Sequence, residues 1–219
     1  MRTYIRFVAY LIVSLVFSLS YAGSYDDFFG AVQRDDAAVV RGLLARGFDP
    51  NTVNPRGEHA LIAALREPSP KVVAALLESP QTRVEVRTLK DESPLMLAAL
   101  KGYTEICQQL IVRDADVNKP GWTPLHYAAS GGQVPTMRLL LDNHAYIDAA
   151  SPNGSTPLMM AAMYGTVDAV RLLIEAGADP ALKNAKGLSA IEFARQVQRE
   201  DIVLLVAAAM RAQRPKGSW

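Results

Sequence analysis

One short pattern returns along most of this chain at intervals of 30 to 34 residues. The clearest copies are Thr-Pro-Leu-His-Tyr-Ala-Ala at 123–129 and Thr-Pro-Leu-Met-Met-Ala-Ala at 156–162. Weaker copies complete a set of six starts, at Asp26, His59, Ser93, Thr123, Thr156 and Ser189. Self-similarity at such a period is typical of architectures in which each unit buries its apolar face only against its neighbours. The chain is therefore predicted to be a stack of small repeated units.

Four apolar columns support this alignment. The residues two, five, fourteen and seventeen places after each start are apolar in all six copies, and the fifth place is always alanine. The alanine column consists of Ala31, Ala64, Ala98, Ala128, Ala161 and Ala194. Because alanine has the smallest apolar side chain, we expect this column to let neighbouring repeats approach each other closely.

The columns predict two helices in each repeat. The Thr-Pro step is typical of a helix start, because the hydroxyl caps free N–H groups and proline fits the first turn. A second helix, such as 167–175, carries apolar residues at spacings of three and four. Gly47 and Gly177 are predicted to end such helices with a positive φ. The turn at 151–154 then leads into the next repeat.

These motifs identify the sequence as similar to ankyrin repeats. The family's Thr-Pro-Leu-His-x-Ala-Ala and Gly-Ala-Asp-Pro/Val-Asn signatures have counterparts here at 123–129, 115–118 and 177–180, and the resemblance spans about residues 25–210. It implies an all-α solenoid of helix-turn-helix repeats joined by β-turn fingers. It also implies a concave face of fingers and first helices that binds proteins, although a fold alone does not specify a function.

The sequence departs from the family pattern in two repeats. Repeat three is three residues short, and the loss falls at 116–122, so its finger is predicted to be clipped. Repeat two has Pro80 where the helix-ending glycine belongs, and Pro68 and Pro70 between its helices, so this unit is predicted to be irregular. The apolar segment 202–210 is expected to cap the last repeat, ahead of a disordered basic tail at 214–219.

The N-terminal segment resembles a secretory signal peptide. Arg2 and Arg6 precede an apolar run at 7–19, followed by small residues that favour cleavage after Ala22. The alternative is an uncleaved membrane anchor, but the apolar run is shorter than the roughly 20 residues that span a bilayer. We therefore expect a signal peptide at 1–22, a repeat domain at 23–213, and export to the periplasm or, alternatively, secretion.

The composition offers little for catalysis. The chain has three His and one Cys, and no nucleophile elbow, phosphate loop or metalloprotease motif. The resemblance makes His126 a structural hydrogen-bonding group, and the column of Cys107 predicts a buried thiol. The sequon Asn153-Gly154-Ser155 is interpreted as a plain turn. We expect no enzyme, no cofactor and no metal site.

The exposed positions of the first helices and fingers supply the candidate partner-binding residues. Interfaces are enriched in Trp, Tyr, Met and Arg, and exposed apolar patches indicate interaction sites. The candidates are Trp122, Tyr127, Met160, Met163, Tyr164, Arg66 and Lys101, together with Leu97. The alternative is that Trp122 covers the clipped finger and the methionines pack between repeats.

Three classes of function remain open at this point. The first is a protein-binding module in the periplasm, serving either as an adaptor or protective partner, as in stress defence, or as an immunity protein against a delivered toxin. The second is a secreted effector that binds host proteins, and the third, an enzyme, lacks any motif. Without Arg2 and Arg6 the chain carries 21 basic and 22 acidic residues, which favours neither nucleic acid nor a basic toxin as partner. We expect a monomer that is not inserted in the membrane.

Overall fold

The computed structural model describes residues 23–213, and this part of the chain is helical. Its twelve helices are α1 (23–33), α2 (Ala37–Ala45), α3 (Ala60–Arg66), α4 (Pro70–Glu78), α5 (Pro94–Lys101), α6 (Thr104–Val112), α7 (Pro124–Ser130), α8 (Val134–Asp142), α9 (Pro157–Tyr164), α10 (Val167–Glu175), α11 (Ala190–Gln196) and α12 (Glu200–Gln213). Within 23–213 there is no strand, only an isolated bridge between Val53 and His59. The predicted all-α fold of helix-turn-helix repeats is confirmed. The predicted signal peptide and basic tail lie outside the described residues.

The described residues form two compact units, which meet in the chain between Arg83 and Val84. In the first unit α4 packs against α2 and α3. In the second unit the first helices α5, α7, α9 and α11 lie side by side, and the second helices α6, α8, α10 and α12 form a parallel row. None of the described helices is long and apolar enough to cross a membrane.

Side-chain caps start the first helices of the second unit, as the sequence predicts. The hydroxyls of Ser93, Thr123 and Thr156 each accept a hydrogen bond from the backbone N–H three residues later, at 3.2, 3.4 and 3.4 Å. A proline follows each of them at the first helical position. Each cap supplies a partner for an N–H group that the helix itself leaves free.

The alanine column lies at the centre of the packing. All six of its members are 0% exposed. Glycines extend the close approach beyond these alanines, because a Cβ atom at Gly131 would lie 2.3 Å from the carbonyl oxygen of Leu100. A Cβ atom at Gly165 would lie 2.3 Å from the carbonyl oxygen of Ala129. Neighbouring first helices therefore meet backbone against backbone at these points.

The helices end as the sequence predicts, and repeat two is irregular as expected. Gly47 and Gly177 have φ values of 88° and 99° after α2 and α10. His144 takes the same role after α8 with a φ of 64°, a conformation that few residues other than glycine adopt. In repeat two, α4 instead ends in extended backbone at Ser79, and the Thr82 hydroxyl donates a hydrogen bond to the carbonyl of Leu76.

The shortened finger of repeat three differs from the other fingers in its hydrogen bonds. Four regular fingers share a hydrogen bond from one backbone N–H to the carbonyl four residues later, donated by Asn54, Thr88, Ser151 and Asn184. The clipped finger at 116–122 lacks this bond, and its Asn118 makes the same pair of hydrogen bonds that Asn51 makes before a regular finger. Asn118 donates through Nδ2 to the carbonyl of His144 at 2.7 Å and accepts from the backbone N–H of Tyr146 at 2.8 Å. Lys119 forms an ion pair with Asp91.

The close approach predicts the effect of adding one methyl group. Gly165→Ala places a Cβ atom against the carbonyl oxygen of Ala129, and it should lower the free energy of unfolding by about 2 kcal/mol. The matched control is Gly42→Ala in α2, where a Cβ atom meets nothing within 4 Å. The control should raise stability by about 0.5–1 kcal/mol, because alanine favours helix. Urea denaturation followed by circular dichroism measures both. Equal midpoints for the two variants would contradict the account.

Candidate functional site

Three of the predicted binding residues surround one cavity. Trp122, Tyr127 and Met160 line a cavity of about 210 Å³ with Leu100, His126 and Ser130. We call this cavity the α7 pocket, because four of its lining residues lie on α7 or just before it. The neighbouring first helices α5 and α9 contribute Leu100 and Met160. The pocket therefore lies on the outer surface of the first helices, which we call the first-helix face.

His126 forms the floor of the pocket and is 0% exposed. Its Nε2 donates to the carbonyl oxygen of Ser155 at 2.9 Å, and its Nδ1 accepts from the backbone N–H of Thr123 at 3.2 Å. Burial lowers the pKa of His126 to about 4, although the bond to Ser155 opposes that shift. His126 is therefore a neutral structural group that joins α7 to the turn that precedes α9, as the resemblance implied.

Aromatic side chains form the walls of the pocket, and hydrogen bonds and ring contacts hold them in place. The ring of Trp122 meets the ring of His126 edge to face, with centroids 5.2 Å apart. The Tyr127 hydroxyl donates to Glu92 Oε1 at 3.3 Å. Ser130 donates through its hydroxyl to the carbonyl oxygen of His126 at 2.8 Å. Trp122 and Tyr127 are half-buried, so each contributes both to the packing and to the surface.

The other predicted residues of the second unit lie at the ends of the first helices. Met163 and Tyr164 follow Met160 by about one turn of α9, so they share its face. Met163 is half-buried, whereas Tyr164 is 60% exposed. Lys101 ends α5, and its Nζ lies 5.9 Å from the ring centroid of Tyr103. None of these three lines the α7 pocket.

Two further candidates differ from the rest. Arg66 lies in the first unit, is exposed, and forms an ion pair with Glu58 at 3.1 Å. The prediction that Leu97 is exposed is wrong, because its side chain is only 8% exposed. Leu97 ends up in the core, and the surface position of α5 is taken by Leu100, three residues later, which is 39% exposed.

Leu100 and Ser130 are the pocket residues that the sequence analysis missed. Both stand seven places after a repeat start, the same place as the predicted binding residues Arg66 and Met163. The position in the repeat therefore indicated that both residues could reach the surface. The sequence prediction instead named Lys101, the neighbour of Leu100, and Ser130 is too small and polar to be recognised as part of an apolar patch.

The centre of the first-helix face carries no formal charge. Helices α7 and α9 contain no Asp, Glu, Lys or Arg, and His126 is neutral above its lowered pKa. Within residues 23–213, no three His, Cys, Asp or Glu side chains are close enough to hold a metal ion. Cys107 is buried, and burial raises the pKa of its thiol to about 12, so this thiol is not a nucleophile at neutral pH. The surface is thus suited to apolar contact.

Comparisons with known proteins agree with this architecture. A family model described as ankyrin repeats (3 copies) matches residues 28–120, 95–184 and 145–213. The crystal structure of the human ASB11 ankyrin repeat domain superposes with a TM-score of 0.70 at 27% sequence identity, covering 85% of this chain and 82% of that one.

Curated relatives are similar over part of their length. The B-cell lymphoma 3 protein homolog of Mus musculus is 32% identical over 181 residues, which cover 80% of this chain and 40% of the relative. Protein phosphatase 1 regulatory subunit 12A of Mus musculus is 50% identical over 52 residues, covering 22% of this chain and 5% of the relative. The chain therefore spans 40% or less of the length of these relatives.

The neutral His126 predicts how stability depends on pH. Between pH 6.5 and 4 the unfolded imidazole binds a proton that the folded one does not, so acid should lower the free energy of unfolding. The loss over this window should be on the order of 3 kcal/mol. In His126→Gln the carboxylates still titrate, but this contribution disappears. Urea denaturation of both proteins from pH 4 to 7 measures the difference. Parallel pH profiles would show that His126 has the same pKa in the folded and unfolded states and would contradict the lowered pKa.

Proposed function

The chain belongs to the ankyrin-repeat family, and on that premise we propose that it is a non-catalytic module that binds a protein partner through its first-helix face. Ankyrin repeats generally mediate protein–protein interaction. The proposed contact surface runs over α5, α7 and α9 and has the α7 pocket at its centre. Met163 and Tyr164 extend the surface along α9, and Lys101 lies at its margin.

The α7 pocket is the observation that supports this proposal most. A cavity walled by Trp122, Tyr127 and Met160 matches the residue types that contribute most to binding at protein interfaces. Tyr164 adds a large side chain that is 60% exposed on the same helix as Met160. Because exposed apolar groups of this kind lose contact with water when a partner docks, they favour association.

The charge of the surface favours an adaptor or protective partner over an immunity protein. Proteins that neutralise basic toxins need a strongly acidic face, and α7 and α9 carry no charged residue. An adaptor or protective role, such as one in stress defence, requires only a matching apolar surface. A secreted effector would use the same face, and the source of the partner distinguishes these roles.

We further propose that the module acts in the periplasm after export. The support is the order of Arg2 and Arg6, the apolar run at 7–19 and the small residues around Ala22. Expression of the full chain in a bacterial host should yield a protein in the periplasmic fraction whose mass corresponds to a start at Gly23. A full-length mass in the membrane fraction would contradict cleavage and favour the anchor.

Capture of the partner tests the binding surface. The processed protein should retain a stoichiometric partner from the envelope fraction of its own cells, and Trp122→Ala with Tyr164→Ala should weaken retention at least 100-fold. Because α7 and α9 carry no charged residue, raising salt from 0.1 to 0.5 M should change the affinity less than threefold. Quantitative mass spectrometry of the retained proteins measures both effects.

The matched control is Tyr146→Ala. Tyr146 is 68% exposed, like Tyr164, but follows α8 and does not line the pocket, so its removal should leave retention unchanged. Circular dichroism establishes that each variant is folded. Equal retention by the double variant and the control would contradict the proposed surface. A partner found only in extracts of a competitor or host would favour immunity or effector function.

A further inference from the structure

We propose that the α7 pocket receives one large apolar side chain, of leucine, methionine or phenylalanine, from an uncharged segment of the partner. We also propose that Trp122 Nε1 donates a hydrogen bond to a backbone carbonyl of that segment. This inference rests on the proposed function, because it takes the occupant to be part of a protein. It adds which kind of side chain and which backbone group of the partner the pocket binds.

The size of the pocket favours a single side chain. Its volume of about 210 Å³ is below the roughly 300–1,000 Å³ of cavities that hold whole small-molecule ligands. Such a cavity is typical of the central pocket into which one anchor residue of a partner inserts.

The lining disfavours a charged occupant. Both ring nitrogens of His126 are already hydrogen-bonded, and the hydroxyls of Tyr127 and Ser130 donate to Glu92 and to the carbonyl of His126. A carboxylate or ammonium group entering the pocket would lose its hydration without meeting a charged lining side chain, and the Glu92 carboxylate beside Tyr127 would also repel a carboxylate. An apolar side chain loses nothing of this kind, and it gains contact with Leu100 and Met160.

Trp122 supplies a hydrogen-bond donor to the lining of the pocket. Its half-buried indole ring contacts His126, and no group among residues 23–213 pairs with Nε1. The indole nitrogen is a donor only, so the complementary group on the partner must be an acceptor. A peptide places a carbonyl acceptor directly beside each of its side chains, whereas an apolar acyl chain has none along its length. A peptide segment therefore matches the donor and the apolar cavity together.

Capped amino acids test this chemistry without a known partner. The probes are the N-acetyl N-methylamides of leucine, aspartate and lysine, with hexanol as an apolar probe that lacks an amide. NMR of the protein purified after expression of the full chain follows the indole N–H of Trp122 and the methyl group of Met160. The leucine probe should shift both signals in a saturable way, and the aspartate and lysine probes should bind at least tenfold more weakly.

Variants separate the two parts of the proposal. Trp122→Phe keeps an aromatic ring but removes the N–H, so it should weaken the leucine probe roughly fivefold and leave hexanol unaffected. Ser130→Leu fills the cavity and should abolish binding of both probes, whereas Tyr146→Ala should change neither. In Trp122→Phe the Met160 methyl group reports binding.

Each contrary outcome overturns a stated part. No response to the leucine probe, or equal binding of the charged probes, overturns the apolar pocket. Hexanol binding as tightly as the leucine probe overturns the peptide carbonyl and favours an acyl ligand. If the leucine probe fails while partner capture still depends on Trp122 and Tyr164, the inference fails and the proposed function stands. If the probe binds but no partner is captured, the proposed function fails instead.

Discussion

The structure of the second unit depends on how closely neighbouring first helices approach each other. The carbonyl oxygen of Ala129 occupies space that a side chain at Gly165 would need, and Ala128 and Ala161 are fully buried between the helices. Where neighbouring first helices approach this closely, only alanine and glycine fit between them. Larger side chains must therefore point either into the core or outward. The repeated alanine is thus the feature that sets the spacing of the whole row.

The same spacing creates the surface that we propose binds a partner. Because α5, α7 and α9 lie so close together, side chains from three helices meet around one cavity, and His126 can bridge to the carbonyl of Ser155 in the turn that precedes α9. A neutral buried imidazole provides the floor, and Trp122 and Tyr127 provide half-buried walls. Packing and the proposed contact with a partner therefore share residues here.

Features encoded locally were predictable from the sequence. Caps at Thr123 and Thr156 and positive φ values at Gly47 and Gly177 depend on a few adjacent residues, and each was confirmed. Features that depend on what packs over a helix were not. Leu97 is 8% exposed, whereas Tyr127 and Met160, which stand at the same place in their repeats, are half-buried, so the position in the repeat does not by itself determine burial.

The central claim is that the first-helix face, rather than the row of second helices, contacts the partner. Site-specific photo-crosslinking in living cells tests it most directly, with benzoylphenylalanine placed at Met160 in α9 or at Arg171, an exposed residue of α10. The account predicts one discrete cross-linked product from position 160 and none from position 171. A product from position 171 with none from position 160 would contradict it.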